Sequence, residues 1–348
     1  MPDCEILFVG AKGHMETELV PREGYALEMV TITNLRRGLS AADIKHNLAT
    51  MRNVMTAQKE AKEIIRRFQP DVAVGTGGYV CYPVLRAAHA LGVPTAVHES
   101  NAVPGLTTKM LAGVVDKIMV GFEESRRHYK RPDRVVVTGT PVRRGFQRYD
   151  KRLAKTELGL EAEKPLVVSV WGSLGAAHMN EVMVSVIERA CQKPFFHLIH
   201  SAGTRYYETM CRRLREEGVE NCGEQGMDVR SYIYDMPKVM AAADLVLCRS
   251  GASTLSELAE LGKPAVLVPS PNVTNNHQEK NARVLETAGA AKVLLEGEFS
   301  ANSLIGLVSE LLQDPEQLAE MSRAMAGMRV ENATERIADL VLDLAAKE

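Results

Sequence analysis

Hydrophobic and polar positions follow a repeating order along this chain. Short apolar runs of four to six residues are each followed by a glycine-rich or polar turn, and most turns open a stretch with apolar residues at helical spacing. In the first part, residues 5–9, 25–32, 71–74, 95–97, 114–120 and 134–137 read as strands. Between them Ile44, Leu48, Met51, Met55, Ala61, Ile65 and Phe68 mark one long amphipathic helix stopped by Gln69-Pro70, and a second helix covers residues 83–91. The pattern then restarts. Residues 166–170, 195–200, 229–233, 245–248, 265–268 and 290–295 read as strands, alternating with helices to the terminus. Apolar strands alternating with helices predict an α/β fold with buried parallel sheets. The restart predicts two units, at residues 1–141 and 151–325, joined by a linker at 142–150 and followed by a C-terminal helix at 326–348. The two units are expected to face each other across a cleft.

The most informative stretch runs from Asp244 to Asn281. The apolar run at 245–248 passes through Arg249-Ser250-Gly251-Ala252-Ser253-Thr254 into Leu255, Leu258, Ala259 and Leu261, which share a helical face. A strand that runs through small residues into a helix brings backbone N–H groups and the positive end of the helix to the crevice, an arrangement suited to phosphate. Thr254 and Glu257 have capping-box spacing, and Gly262-Lys263-Pro264 is a stop. The next strand ends in a polar loop before His277-Gln278-Glu279 open another helix.

Three further turns have the same character. Gly75-Thr76-Gly77-Gly78-Tyr79 follows a strand directly, and three glycines in four positions let a ligand approach bare backbone. His98-Glu99-Ser100-Asn101 closes the 95–97 strand, with His98 and Glu99 reading as a satisfied structural pair. Trp171-Gly172-Ser173-Leu174-Gly175-Ala176 closes the 166–170 strand.

Composition narrows the function. At 348 residues the chain suits two domains, and 45% hydrophobic with 25% charged residues is globular. Its 42 basic and 44 acidic residues nearly cancel, which removes the bulk electrostatic case for nucleic acid. Six scattered cysteines without a Cys-x-x-Cys pair argue against a disulfide framework and a zinc site, and fit a reducing cytoplasm. No segment approaches the roughly 18 unbroken apolar residues of a membrane span, and no signal peptide is expected ahead of the first strand. Membrane contact is therefore expected from the surface. Arg126, Arg127, Lys130, Arg131, Arg134, Arg143, Arg144, Arg148, Lys151 and Arg152 form a basic concentration, mostly solvated, with a subset available to anionic lipid or a diphosphate.

Taken in order and spacing, these motifs, with Thr138-Gly139-Thr140-Pro141-Val142-Arg143, Pro104-Gly105-Leu106-Thr107 and Asn276-His277-Gln278, resemble the MurG family over essentially the whole chain. That family comprises cytoplasmic-face N-acetylglucosaminyltransferases that complete the lipid-linked peptidoglycan precursor. The resemblance implies two Rossmann-like domains in the GT-B architecture and inverting transfer without metal or cofactor; the absence of an Asp-x-Asp motif agrees. It implies a UDP-GlcNAc donor, a lipid-linked acceptor and an anionic inner-membrane surface as partners. The donor residues it implies are Ser173 with the turn from Ser250 to Ser253 and Thr254 at the diphosphate, Arg143 near it, Ile233 at the uracil, Glu257 at the ribose hydroxyls, and His277 and Gln278 at the sugar. On the acceptor side it implies Gly77, Gly78 and Tyr79 at a diphosphate and Asn101 near the attacking hydroxyl, with Tyr79 and Asn101 as the catalytic candidates.

The resemblance also implies a further strand, a glycine-rich turn with a catalytic His, and a helix before residue 1, so the general base is expected upstream of Met1 and the start codon is expected to be misplaced downstream. His14 in Gly10-Ala11-Lys12-Gly13-His14 reads as a superficial match to that turn, because Leu19-Val20-Pro21 belongs to the family's second repeat. Ser100 stands where many relatives carry Gln. The competing readings are another GT-B enzyme, such as a UDP-GlcNAc 2-epimerase, and a non-catalytic UDP-sugar-binding protein.

Overall fold

A computed structural model describes residues 4–14, 16–33, 40–146, 149–172, 175–219 and 222–346, with backbone alone for 41–52. Ser173 and Arg148, singled out above, lie outside the described residues. The chain divides into two compact units, Met1–Gly139 with Asn332–Glu348, and Thr140–Glu331.

The first unit carries β1 (Leu7–Ala11), α1 (Glu16–Arg22), β2 (Ala26–Val30), α2 (Ala41–Phe68), β3 (Ala73–Gly75), α3 (Cys81–Ala90), β4 (Thr95–Glu99), α4 (Leu106–Leu111), β5 (Lys117–Val120) and β6 (Val135–Val137). All pairings are parallel, in two separate sheets of order β1-β2 and β3-β4-β5-β6. Among the described residues, one edge of β1 and one edge of β3 have no strand partner. The long helix lays Ala57, Ala61, Ile64 and Ile65 on one buried stripe, which packs with Ala11 and Val30 of the first sheet and with Ala87 and Ala88 of α3. α4 begins directly after Pro104-Gly105, with Gly105 as its N-cap.

The second unit runs α5 (Lys151–Glu157), β7 (Leu166–Val170), α6 (Ala177–Gln192), β8 (His197–Ser201), α7 (Tyr207–Glu216), β9 (Met227–Arg230), α8 (Met236–Ala242), β10 (Leu245–Cys248), α9 (Ala252–Leu261), β11 (Ala265–Leu267), α10 (His277–Thr287), β12 (Ala291–Val293), α11 (Ala301–Gln313) and α12 (Pro315–Gly327). Its six strands form one parallel sheet of order β12-β11-β10-β7-β8-β9. The central strands are apolar because helices cover both faces; β10 is buried at all four positions. Met179, Met183, Ile187 and Ala190 repeat at helical spacing along α6 and enter the core beside Leu198, Leu245 and Leu311. The strand expected at 229–233 instead spans Met227–Arg230, so Ile233 lies in the loop that follows.

A last helix, α13 (Ala333–Ala345), belongs to the first unit. Leu344 packs on Ala96 of β4 and Met119 of β5, with Ile337, Leu340 and Val341 alongside. The sequence pattern starts this helix at 326; the structure starts it at Ala333, after Arg329 has paired at 2.8 Å with Glu260 of α9. No helix among the described residues is long and apolar enough to cross a membrane.

Ile187 is fully buried in the second unit's core. Ile187→Ala removes its contacts and leaves a cavity, and is expected to cost about 2–5 kcal/mol. Urea denaturation checks this as a lowered midpoint of the second unit's transition; an unchanged midpoint would place the core elsewhere.

Candidate active site

The order of the second sheet opens a gap between β7 and β10, where the winding of the chain reverses. From β7 the chain winds outward through β8 and β9; from β10 it winds the other way through β11 and β12. β7 and β10 are adjacent, with Leu245 opposite Val167 and Cys248 opposite Val170, so the turns leaving their carboxyl ends diverge and leave a crevice. A cavity of about 790 Å³ sits there. Every strand contributes: Trp171 and Gly172 after β7, Ser201 at the end of β8, Tyr232 and Ile233 after β9, Arg249 and Gly251 after β10, Ser270 after β11, and Glu296 after β12. Arg143, Thr254, Glu257 and Gln278 complete the part that sequence reasoning had named.

Glu257 is the buried charge in this wall. It sits on the inner face of α9, 8% exposed, and Arg143 Nε and Nη2 each approach its Oε1 at 2.9 Å. Arg143 therefore spends two donors on one carboxylate oxygen and leaves Oε2 to other partners. Burial raises the carboxyl pKa of Glu257 and Arg143 opposes the rise, with burial the larger effect. The guanidinium also lies over the Phe146 ring at 5.4 Å.

The capping-box expectation for Thr254 and Glu257 is not met. Helix α9 begins at Ala252 with Gly251 as its N-cap and no side chain on its first N–H groups. Thr254 is already inside the first turn, and the Glu257 carboxylate is held by Arg143, so it does not return to the backbone. The consequence is an open helix N-terminus at the cavity wall, with Gly251 and Thr254 lining it. The predicted stop is present, as a left-handed Gly262.

Two ties fix α10 beside this turn. The fully buried Ser250 donates its hydroxyl to the Gln278 carbonyl at 2.8 Å, and Asn281 Nδ2 donates to the Ser250 carbonyl at 3.2 Å. The Ser250 hydroxyl proton is thus committed to the fold, which leaves the backbone of the turn, not this donor, to meet a ligand. Gln278 Oε1 accepts from Ser270 N at 2.9 Å. His277 opens α10 as predicted, but its Nδ1 donates to the Thr274 carbonyl at 2.8 Å and the residue stands outside the cavity lining, as does the exposed Ser253. Arg249, Glu296 and Trp171 are among the lining residues that drew no role from the sequence. Arg249 Nη1 lies 2.5 Å from Glu296 Oε2 and donates to the Val268 carbonyl at 3.0 Å, with its guanidinium 5.9 Å from the Trp171 ring. The signal that could have found Glu296 is its position just past a strand's carboxyl end.

In the first unit, Gly77 and Gly78 both take positive φ, +92° and +78°, a succession only glycine adopts readily, in the turn from β3 to α3. Cys81 Sγ donates to the Gly77 carbonyl at 2.7 Å and pins that turn. Tyr79 follows, its hydroxyl 2.8 Å from His14 Nε2 after β1; burial, then the charge of Glu16, raises its pKa. His14, set aside as a superficial motif match, therefore touches a candidate residue. On the adjacent strand, Glu99 Oε1 accepts from Asn101 N at 3.1 Å and Asn101 Nδ2 at 3.0 Å, while Oε2 accepts from Gly105 N at 2.9 Å. His98 Nε2 donates to the Gly139 carbonyl at 2.8 Å, and burial lowers its pKa. Both side chains are satisfied by loop groups, and Asn101 is positioned by Glu99. Among the described residues no group of three His, Cys, Asp or Glu is placed to hold a metal ion.

Residues 2–120 match the glycosyltransferase family 28 N-terminal domain and residues 166–337 its C-terminal domain. The UDP-N-acetylglucosamine--N-acetylmuramyl-(pentapeptide) pyrophosphoryl-undecaprenol N-acetylglucosamine transferase of Acetivibrio thermocellus is 39% identical over 343 residues, covering 99% of this chain and 90% of that protein. The chain belongs to the MurG family. The crystal structure of Acinetobacter baumannii MurG superposes with a TM-score of 0.76 at 26% identity, covering 98% of this chain and 91% of that one. A UDP-GlcNAc 2-epimerase from Neisseria meningitidis bound to UDP-GlcNAc shares the fold at a TM-score of 0.62, 14% identity, and coverage of 97% and 91%. This MurG-family member is thus a glycosyltransferase of two-domain GT-B fold.

The Arg143–Glu257 pair gives a direct test of the wall's electrostatics. Because burial raises the Glu257 pKa, its contribution to stability is present at low pH and is lost as pH rises through the folded-state value. Arg143→Ala removes the opposing charge, so the Glu257 carboxyl is expected to titrate at still higher pH in a ¹³C NMR titration. A downward move would show that Arg143 is not its dominant cation.

Proposed function

We propose that this protein transfers N-acetylglucosamine from UDP-N-acetylglucosamine to the muramyl sugar of an undecaprenyl-diphosphate-linked pentapeptide acceptor, converting lipid I to lipid II, with inversion and without a metal. The observation that carries the donor half is the buried Glu257 at the carboxyl ends of a switched parallel sheet, its Oε1 tied to Arg143 and its Oε2 left for vicinal ribose hydroxyls. In this reading Ile233 meets the uracil through its backbone, Gln278 reaches the sugar hydroxyls, and the diphosphate meets the N–H groups of the turns at Gly172 and Gly251. Ser173, Ser253, Thr254 and His277 are assigned to the same donor by family resemblance. Negative charge developing on the leaving UDP is met by those N–H groups, the open end of α9 and the Arg143 guanidinium.

The acceptor is assigned to the first unit, with its diphosphate at the paired positive-φ glycines and Tyr79, and its sugar hydroxyl near Asn101. A general base must take the proton from that hydroxyl as it attacks the anomeric carbon. Asn101, locked by two bonds to Glu99, orients the hydroxyl and is no base itself. The same unit is assigned to an anionic membrane at its cytoplasmic face. Leu106 and Met110, one helical turn apart on α4, are 54% and 46% exposed and flank the exposed Lys109, the pairing of apolar and cationic groups that an anionic interface favours. Of the basic concentration, Arg126, Arg131 and Arg134 are engaged by Glu123, Asp133 and the Val115 carbonyl. Arg127 and Lys130 are the exposed cations of that unit assigned to lipid.

Glu257→Gln keeps the shape of the side chain and removes the charge. A charge-assisted hydrogen bond is worth about 1.5–3 kcal/mol, so UDP-GlcNAc affinity is expected to fall roughly 10- to 150-fold. Calorimetry with UDP-GlcNAc and turnover of lipid I measure the two halves separately. Unchanged affinity in the variant removes Glu257 from the donor site; tight donor binding with no turnover of lipid I by the unaltered protein favours a UDP-sugar-binding protein.

A further inference from the structure

Behind the turn that leaves β7, three buried side chains form a hydrogen-bonded chain with a single direction. Ser169 of β7 and His200 of β8 are fully buried and Asn180 of α6 is 4% exposed. Asn180 Nδ2 donates to the Ala202 carbonyl at 2.8 Å. Its Oδ1 is then the acceptor facing His200 Nε2 at 3.2 Å, so Nε2 carries the ring proton. Nδ1 of the neutral imidazole is left as an acceptor and takes the Ser169 hydroxyl at 3.0 Å. Burial pushes the His200 pKa down to about 3, which keeps the ring neutral and this order of donors intact at neutral pH.

The chain ends on a carbonyl that shapes the candidate diphosphate turn. A Cβ placed on Gly175 would lie 2.2 Å from Ala202 O and 3.1 Å from Ala202 C, so the turn rests directly on that group. Gly175 N donates to Gly172 O at 3.0 Å, and the two glycines take φ of +72° and +100°. Asn180 N donates to Ala176 O at 2.9 Å, and Ala202 N donates to Arg230 O at 2.9 Å. One side chain thus links the first turn of α6 to the carboxyl end of β8, and the Ala202 backbone extends the link to β9. None of Ser169, Asn180 and His200 lines the cavity. A buried polar trio costs desolvation that an apolar trio of the same volume would avoid, so the polar choice calls for a role in geometry.

We propose that Ser169, His200 and Asn180 are positioning residues for the donor diphosphate, acting through the Ala202 carbonyl to hold Gly175, and through it Gly172, in the conformation that meets the ligand. This rests on the donor reading of the cavity given above. The uridine end of the donor is assigned to Ile233 and Glu257 and does not depend on the trio.

The test compares UDP with uridine, by calorimetry and NMR titration, on the full chain. Asn180→Asp preserves size but turns the donor facing Ala202 into an acceptor; Ser169→Ala removes only the far end of the chain and keeps the test open should the first variant fail to fold. For folded protein, Asn180→Asp is expected to weaken UDP about tenfold and Ser169→Ala about threefold, with uridine affinity changed less than twofold in both. Equal losses for UDP and uridine, or no loss of UDP affinity, overturn the proposal. If the unaltered protein binds uridine but gains nothing from the diphosphate, the donor reading of the turn fails, and the proposal with it.

Discussion

The register between β7 and β10 is the constraint on which the donor-side structure depends. Two parallel strands lie side by side, and the chain leaves their carboxyl ends in opposite directions across the sheet. Residues past both strands, with polar residues past each of the other strands, therefore line one cavity at that edge. Glu257 and Gln278, on the helices that follow β10 and β11, meet at that edge, where Arg143 joins them.

The other end of the same sheet is closed by charge. Asp244 Oδ2 accepts from Leu166 N at 2.8 Å and pairs with the buried Lys155 at 2.9 Å and with Lys151 through its other oxygen. Lys263 donates to the carbonyls of Ala241 and Ala243 at 2.6 and 2.9 Å, and burial lowers its pKa to about 8. These groups satisfy the strand starts and the end of α8 with protein partners. Asp244, Lys155 and Lys263 at the amino ends are engaged by the fold, whereas Glu257 at the carboxyl ends is held by Arg143 through one oxygen with the other to spare. That asymmetry separates a stabilising edge from a binding edge within one sheet, and the Ser169–His200–Asn180 chain extends the same stiffening to just beneath the binding edge.

Much of this was legible from apolar spacing. The limits of β7 and β10, the stop at Gly262 and the opening of α10 at His277 agree with the sequence pattern because each is set by local chemistry: a buried run, a left-handed glycine, a loop-to-helix transition. What escaped was decided by tertiary competition. Thr254 and Glu257 have the spacing of a cap, but a distant arginine holds the carboxylate. Ser250 looks like a phosphate ligand, yet its hydroxyl goes to a carbonyl on the next helix. Glu296 and Trp171 join the cavity only through strand order, and His14 meets Tyr79 across 65 positions of chain. In the first unit, the division of its strands into two sheets follows from pairing, which periodicity does not encode.

Amide hydrogen exchange with and without UDP-GlcNAc tests the central claim most directly, because it reads the backbone groups that the claim invokes. The account predicts slowed exchange at Gly172 and Gly175 after β7, at Gly251 to Thr254 after β10 and at Ile233 after β9, with the amino-end groups around Leu166 and Asp244 unchanged. Protection confined to the amino ends of the strands, or spread evenly over the second unit with no excess at these turns, would contradict it.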